Sequence, residues 1–280
     1  MLNFKSLLVA LAGLAVIVSA HDGITQKFAP VSPANLMKGE PTGTMVKIGG
    51  VDTYVARPPH IKNGCKEAIL FLTVRRFGLP LPNNKLMADR FARETSLPVY
   101  VPDYLNGDPI PYNTTTINAT EWLPRHGEDV TSPLILSVIG GLKQQGVRTF
   151  AATGYCFGGL YAMRLAQNNT VAVSVSAHPS LLTVPEDFEI LQAKSKVPIQ
   201  IHSAELDAGF TPAIAAIADG VMNGTTTENT KRYKPGYTRY AHAGMVHGFA
   251  VRPANASDPA QVAELDAAFY AAVKAIKTYL

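Results

Sequence analysis

One of the two cysteines in the chain, Cys156, lies in the segment GYCFGG, directly after the apolar stretch RTFAAT. The apolar stretch is typical of a buried strand and a helical pattern follows the glycines, so we expect a sharp strand-to-helix turn at the cysteine. Gly154 and Gly158 lie two residues to either side, where only small residues let the strand and the helix pass closely. Such a turn costs about 1–3 kcal/mol, and it serves to present a nucleophile. We therefore predict that Cys156 is a nucleophile.

The predicted turn would also make the Cys156 thiol easier to ionise. The free N–H groups and the dipole of a helix N-terminus favour a thiolate, so the thiol pKa should fall below its ordinary value of ~8.5. An oxyanion hole would be built from two backbone N–H groups, that of Phe157 and that of Arg76 in the loop after the stretch AILFLTV. The alternative is that Cys156 only fills a tight turn as a small hydrophobic residue.

A nucleophile at such a turn needs an orienting acid and a histidine base, in the chain order nucleophile, acid, histidine. His247 lies in the loop AGMVHGF, between the last predicted strand and the terminal helix, which would bring it to the same rim of the sheet as Cys156. Asp207 follows the stretch VPIQIHS and would reach the same rim. His242 is an alternative base and Glu205 an alternative acid.

The segments between these residues alternate between buried strands and amphipathic helices. The runs AILFLTV, RTFAAT and VAVSVSA are typical of strands buried on both faces, whereas residues 83–95 and 131–145 have helical periodicity. Residues 106–128 are rich in Pro, Thr, Asn and Gly, which predicts a surface excursion. Strand and helix alternation predicts an α/β fold with a mostly parallel central sheet and helices on both faces, in which ligands bind beyond the carboxyl ends of the strands.

The first 20 residues have the pattern of a cleaved signal peptide. They contain one cation, Lys5, an apolar run over residues 7–18, and small residues before position 21, as signal peptides do. The run is shorter than the roughly 20 residues that span a bilayer, so we expect a secreted protein without a membrane anchor. Residues 21–43 are predicted to be an extended lead-in, and residues 44–280 to form one domain.

Charge, cysteine use and glycosylation motifs fit this class of protein. The net charge of the 280-residue chain is +4 and its Lys and Arg residues are scattered, which argues against a nucleic-acid partner. Cys65 lies in a polar turn, so we expect no disulfide between it and Cys156. Five Asn-X-Ser/Thr sequons fit a secreted glycoprotein. They begin at Asn113, Asn118, Asn168, Asn223 and Asn255.

These segments together resemble the dienelactone hydrolase family of the α/β-hydrolase superfamily. The similar pieces are GYCFGG, VPDYLNGD, AHPSLL, AELD and HGF, spread over roughly residues 44–278. The resemblance implies an α/β-hydrolase fold, a triad of Cys156, Asp207 and His247, and a small ester or lactone as substrate. It implies no metal and no organic cofactor.

Two arginines bear on the substrate that the resemblance implies. Family members commonly carry a carboxylate next to a Phe-Gly pair in the loop after the AILFLTV strand, but this chain reads VRRFG, with Arg75 where that carboxylate is expected. A cation near the thiol favours its ionised form, so we expect Arg75 either to lower the Cys156 pKa or to receive a substrate carboxylate; the alternative is a surface arginine. Arg252, in HGFAVR, resembles a family arginine that contacts the substrate carboxylate, with a salt bridge as the alternative.

The sequence therefore predicts a secreted, cysteine-dependent hydrolase of small esters or lactones that acts through an acyl-enzyme. Because function resides in the site and not in the fold, two alternatives stay open. One is a hydrolase or acyltransferase with unrelated acyl substrates. The other is a hydrolase-like protein that binds a ligand without turnover, and Arg75 is the feature in its favour. The expected partner is a small-molecule substrate. We expect no nucleic-acid partner and, once the signal peptide is removed, no association with a membrane. The sequence leaves the oligomeric state open.

Overall fold

The computed structural model describes residues 25–27, 35–60, 64–111 and 116–280. The predicted signal peptide, residues 21–24 and 28–34 of the predicted lead-in, and the sequon at Asn113 lie outside the described residues. The other four sequon asparagines are exposed; they are Asn118, Asn168, Asn223 and Asn255. No helix within the described ranges has the length and the apolar character needed to cross a bilayer.

The described strands and helices follow the alternation that the sequence predicts. The strands are β1 Thr25–Lys27, β2 Thr44–Ile48, β3 Val51–Ala56, β4 Glu67–Leu72, β5 Val99–Pro102, β6 Thr116–Asn118, β7 Thr149–Tyr155, β8 Val173–Ala177, β9 Ile199–Ala204 and β10 Tyr237–His242. The helices are α1 Pro82–Thr95, α2 Ala119–Trp122, α3 Glu128–Gln144, α4 Phe157–Gln167, α5 Glu186–Lys194, α6 Pro212–Asn223 and α7 Pro259–Tyr279, with a 3-10 turn at Leu123–His126.

Eight strands form one sheet in the order β10-β9-β8-β7-β4-β5-β3-β2. The strands from β10 to β5 in this order run parallel to one another. The last two pair antiparallel, β3 with β5 and β2 with β3. The prediction of a mostly parallel sheet is therefore confirmed. β1 and β6 form a separate antiparallel ribbon.

The central strands are buried because helices cover the sheet. Every residue of β8 and β9 is buried, and in β4 and β7 only the first residue is partly exposed, as the continuous apolar runs predict. α1 packs against α7 through Phe91 and Phe269, whose ring centroids lie 4.6 Å apart. α4 packs against the sheet and against α5, where Arg164 pairs with the buried Asp187. The packed core thus holds the carboxyl ends of the parallel strands in fixed positions.

Most described residues of 106–128 lie at the surface as predicted, but a few of them are anchored in the core. Ile110, Trp122 and His126 are buried. The Trp122 indole N–H donates to the Asp108 carbonyl oxygen at 3.1 Å, and its ring centroid lies 5.5 Å from that of Phe157 in α4. The polar and proline-rich composition hides this packing because single aromatic anchors produce no periodicity.

Gly154 and Gly158 let β4, β7 and α4 cross at close range. A Cβ atom on Gly154 would lie 2.1 Å from the Gly158 carbonyl oxygen and 2.9 Å from Ala162 Cβ, and one on Gly158 would lie 2.2 Å from the Leu72 carbonyl oxygen. These obstacles are mostly backbone atoms, which cannot rotate away. The crossing therefore excludes any side chain at either position.

We predict that Gly154→Ala lowers the free energy of unfolding by about 1–3 kcal/mol, because the methyl group forces β7 and α4 apart. Urea denaturation of the purified protein measures this change. Gly140→Ala is the matched control, since a Cβ there meets no atom within 4 Å, and it should stabilise α3 by about 0.5–1 kcal/mol. Equal unfolding midpoints for Gly154→Ala and wild type would contradict the close crossing.

Candidate active site

Cys156 lies at the turn between β7 and α4, with backbone angles φ 56° and ψ −115°. A positive φ is uncommon for a residue with a side chain and signals local strain. Two hydrogen bonds tie the turn to its neighbours. The Cys156 N–H donates to the Ala177 carbonyl oxygen at the end of β8, and the Gly158 N–H donates to the Thr73 carbonyl oxygen after β4, both at 3.1 Å. Cys156 and Cys65 are both free, so the expected absence of a disulfide between them holds.

The structure brings His247 and Asp207 together with Cys156. The His247 Nδ1–H donates to Asp207 Oδ2 at 2.7 Å, and the imidazole lies close enough to the Cys156 sulfur for each group to shift the pKa of the other. Asp207 is buried in the loop after β9, and its Oδ1 accepts from the Gly209 N–H at 2.8 Å. The carboxylate is therefore held on both oxygens, and it fixes the imidazole facing the thiol.

The alternative base and the alternative acid are engaged elsewhere. The His242 Nδ1–H donates to Glu264 at 2.7 Å, and its Nε2 lies 2.9 Å from His202 Nδ1. Glu205 accepts the Gly244 N–H at 2.7 Å. His242 thus belongs to a chain that links the sheet to α7, and Glu205 holds the backbone of the loop that carries His247.

Opposite charges hold the thiol and the imidazole in their ionised forms. Burial alone would raise the pKa of the Cys156 thiol, but the charge and hydrogen bond of His247, the charge of Arg75 and the hydroxyl of Ser180 together lower it to about 6. Burial likewise opposes the His247 cation, but Cys156 and Asp207 together raise the pKa of the imidazole to about 10. Between these two pH values the pair is a thiolate and an imidazolium.

The two residues predicted for an oxyanion hole lie at the neighbouring ends of β7 and β4. Phe157 is the first residue of α4, so its N–H has no carbonyl partner within the helix. Arg76 forms an isolated parallel bridge with Ile110, in which the Phe77 N–H donates to Ile110 and the Ile110 N–H donates to Arg75. In that pattern the N–H of Arg76 itself points to the opposite side from Ile110.

Three arginines make the surroundings of the thiol electropositive. Arg75 is partly buried and its charge acts on Cys156. Arg76 is buried, and burial together with the charge of Arg252 lowers the Arg76 pKa to about 10. Burial lowers the pKa of Arg252, and Cys156 is the one charge among the described residues that raises it. The described residues therefore do not support the salt bridge considered for Arg252.

Ser180 and His178 lie at the site although the residue patterns did not single them out. Ser180 Oγ lies 3.5 Å from Cys156 Sγ. His178 is fully buried, and its ring centroid lies 5.0 Å from that of His247. Among the residues that the structure describes, none hydrogen-bonds either of its ring nitrogens. Burial and the cations His247 and Arg252 keep the His178 pKa well below its ordinary value. Both residues belong to the AHPSLL segment, whose family resemblance was the available signal.

Aromatic residues pack together beside Cys156. Phe157 contacts Trp122 and Tyr104, with ring centroids 5.5 Å and 6.2 Å away. The Tyr104 hydroxyl donates to the Thr73 carbonyl oxygen.

No group of three or more His, Cys, Asp or Glu side chains in the described ranges is arranged to hold a metal ion. The arrangement of Cys156, His247 and Asp207 can support acyl transfer by a thiolate.

Comparison with known proteins agrees with the fold and the motifs. The sequence model of the dienelactone hydrolase family matches residues 51–280. The chain is 29% identical over 220 residues to hydrolase pyvD of Aspergillus violaceofuscus, with 78% of this chain and 83% of that protein covered. It is 30% identical over 226 residues to dienlactone hydrolase 1 of Gibberella moniliformis, with 77% and 80% covered.

A solved structure shares the same fold. The crystal structure of a candidate dienelactone hydrolase from Klebsiella pneumoniae superposes with a TM-score of 0.68 and 15% identity, covering 85% of this chain and 99% of that one. At this identity the similarity concerns the fold alone. Since the family match extends over most of the described domain, the chain belongs to the dienelactone hydrolase family of the α/β-hydrolase superfamily and is a carboxylic ester or lactone hydrolase.

Proposed function

We propose that this hydrolase cleaves small esters or lactones through an acyl-enzyme on Cys156, with His247 as acid and base and Asp207 as the residue that orients it. The observation that carries the proposal is that His247 donates to Asp207 at 2.7 Å while its imidazole and the Cys156 thiol each shift the pKa of the other. A thiolate at a helix N-terminus beside an imidazolium is already the attacking species, so no separate base is needed for the first step.

In acylation, the Cys156 sulfur attacks the carbonyl carbon, and a C–S bond forms while the carbonyl oxygen takes the negative charge. The backbone N–H groups of Phe157 and Arg76 stabilise that oxyanion. The C–O bond of the ester then breaks, and the His247 imidazolium gives its proton to the leaving oxygen. In a lactone the resulting hydroxyl stays attached to the acyl group.

In deacylation, the neutral His247 takes a proton from water as the water oxygen bonds to the thioester carbon. The C–S bond breaks and its electron pair returns to sulfur. The carboxylic acid leaves, and the thiolate and the imidazolium are restored. Asp207 stabilises the imidazolium in both halves of the cycle.

Arg75 and Arg252 select acidic substrates in this proposal. Both cations act on the charge at Cys156, and a guanidinium binds a carboxylate through two parallel hydrogen bonds. A substrate with a carboxylate near its ester bond would therefore be held with its carbonyl close to the thiolate. The same charges favour the ionised thiol, so Arg75 serves nucleophile and substrate together.

We also propose that the protein is secreted and glycosylated. The signal-peptide pattern of residues 1–20 supports export. Exposure of Asn118, Asn168, Asn223 and Asn255 supports modification, because a glycosyltransferase needs accessible sequons.

The cysteine mechanism predicts how turnover and alkylation respond to mutation and pH. Cys156→Ala should abolish hydrolysis of p-nitrophenyl acetate. In the wild type, the rate of Cys156 alkylation by iodoacetamide should rise with pH through a midpoint near 6 and reach a plateau at higher pH. The rise reflects formation of the thiolate, since the depressed pKa keeps Cys156 ionised above that value. Peptide mass spectrometry assigns the alkylated cysteine.

Cys65→Ser is the matched control and should keep full turnover, because Cys65 contacts Glu67 and not the site. Loss of activity in this variant would contradict the assignment of Cys156. Ester turnover that is absent at every pH in the wild type would instead favour the ligand-binding alternative.

The role of Arg75 predicts two effects of Arg75→Ala. The midpoint of Cys156 alkylation should rise by about one pH unit, and turnover of an ester that carries a carboxylate should fall more than turnover of a neutral ester. Arg148→Ala is the control, because Arg148 is exposed just before β7, at the opposite end of that strand from Cys156. If Arg75→Ala changes neither the alkylation profile nor the preference for acidic esters, both roles fail.

Secretion predicts the form of the protein recovered from a eukaryotic expression host. The medium should contain a chain that begins at His21, and its mass should fall on treatment with an N-glycosidase. N-terminal sequencing and intact mass spectrometry measure both properties. A variant that lacks residues 2–20 should stay in the cells. Recovery of the wild type inside the cells with its first 20 residues intact would contradict the proposal.

A further inference from the structure

The loop after β8 holds the nucleophile by both of its backbone hydrogen-bonding groups. The Cys156 N–H donates to the Ala177 carbonyl oxygen at 3.1 Å, and the Ser180 N–H donates to the Cys156 carbonyl oxygen, also at 3.1 Å. Four consecutive residues, 177–180, therefore bracket Cys156. The position of Ser180 relative to the nucleophile is set by the backbone and not by a flexible side chain.

The Ser180 hydroxyl is directed at the sulfur in a buried part of the site. Ser180 Oγ lies 3.5 Å from Cys156 Sγ, and the two residues are 7% and 6% exposed. A thiolate has no proton to donate, so the hydroxyl is the donor whenever Cys156 is ionised. Hydrogen bonds to an ionised acceptor are stronger than those between neutral groups.

Two buried serines on β8, Ser174 and Ser176, differ from Ser180 in the following loop in what their hydroxyls contact. The Ser174 hydroxyl donates to the Ala162 carbonyl oxygen at 2.8 Å, which is a structural bond to α4. Ser176 Oγ is buried and has no hydrogen-bond partner within the described part of the chain. Among these three serines, only Ser180 has a hydroxyl that contacts the reacting sulfur. Ser176 therefore offers a control of the same residue type from a neighbouring position.

We propose that Ser180 is a further catalytic residue, whose hydroxyl stabilises the Cys156 sulfur as the leaving group when the acyl-enzyme is hydrolysed. This inference rests on the cysteine mechanism proposed above. In the thioester the sulfur is neutral and accepts a hydrogen bond weakly. When water adds to the carbonyl carbon and the C–S bond breaks, the electron pair returns to sulfur and the Ser180 O–H···S bond strengthens. Ser180 keeps its proton throughout, since the proton of the water goes to His247.

The same bond has the opposite effect on acylation. The hydrogen bond stabilises the resting thiolate and weakens as the sulfur attacks the carbonyl carbon. It therefore raises the fraction of Cys156 that is ionised but makes each thiolate less reactive. Ser180 therefore favours deacylation over acylation. A residue with a purely structural role would not change the two half-reactions in different ways.

Other charged and titratable groups that face the sulfur stay in place when Ser180 is changed. They are His247 from the β10–α7 loop, Arg75 from the loop after β4, and Arg252. Burial raises the Tyr104 pKa well above its usual range, and Cys156 contributes to the increase. A change in the alkylation profile of a Ser180 variant can therefore be assigned to the hydroxyl.

The test compares Ser180→Ala with Ser176→Ala during turnover of p-nitrophenyl acetate, whose good leaving group makes deacylation the slow step. We expect Ser180→Ala to give a normal burst of p-nitrophenolate, a steady state slower by about tenfold and an acyl-enzyme on Cys156 that accumulates in intact mass spectra. The midpoint of iodoacetamide alkylation should move to higher pH. Ser180→Thr should restore deacylation, because it keeps the hydroxyl.

Wild-type deacylation and an unchanged alkylation midpoint in Ser180→Ala would overturn the assignment of Ser180 and leave the cysteine mechanism intact. An equal loss in Ser176→Ala would also overturn it, because the effect would then come from packing of β8. A wild type that forms no acyl-enzyme on Cys156 would overturn the cysteine mechanism itself and the role of Ser180 with it, so the two failures are distinguishable.

Discussion

The close crossing of β7 and α4 at Gly154 and Gly158 is the constraint on which the site depends. It forces Cys156 into a positive φ and points the start of α4 at the rim of the sheet. Because the crossing leaves no room for side chains, the turn cannot relax without separating the strand from the helix. Strain in the backbone is thus retained by packing in the core, and the thiol is held at a position that a relaxed turn would not reach.

Burial and charge have opposite effects on the thiol, and the balance between them decides its state. A buried cysteine with neutral neighbours would keep its proton. Here His247 contributes the larger opposing effect and Arg75 adds to it. Arg75, in the loop after β4, thus supplies a cation beside the thiol. The ionised thiol is therefore a property of the resting site and does not depend on arrival of a substrate.

Segments distant from the turn complete its surroundings. Trp122, from a stretch that composition assigned to the surface, packs on Phe157, and Ser180, from the loop after β8, contacts the sulfur. Each joins the site through contacts between segments that are far apart along the chain. Composition and periodicity describe neighbours in sequence, so neither of them carries information about such contacts.

The sequence by itself determined most of the elements and named the residues that are proposed to carry the chemistry. The strand-to-helix turn at Cys156 could be predicted because the six-residue motif GYCFGG is typical of such a turn. Asp207 and His247 could be named because loops after parallel strands share one edge of the sheet. Only the tertiary structure decided that His242 and Glu205 are engaged elsewhere, that residues 106–128 are partly buried, and that Ser180 and His178 border the site. These outcomes depend on distances between segments that meet only when the sheet is assembled, because hydrogen bonds and ring contacts act over a few ångströms in space and not along the chain.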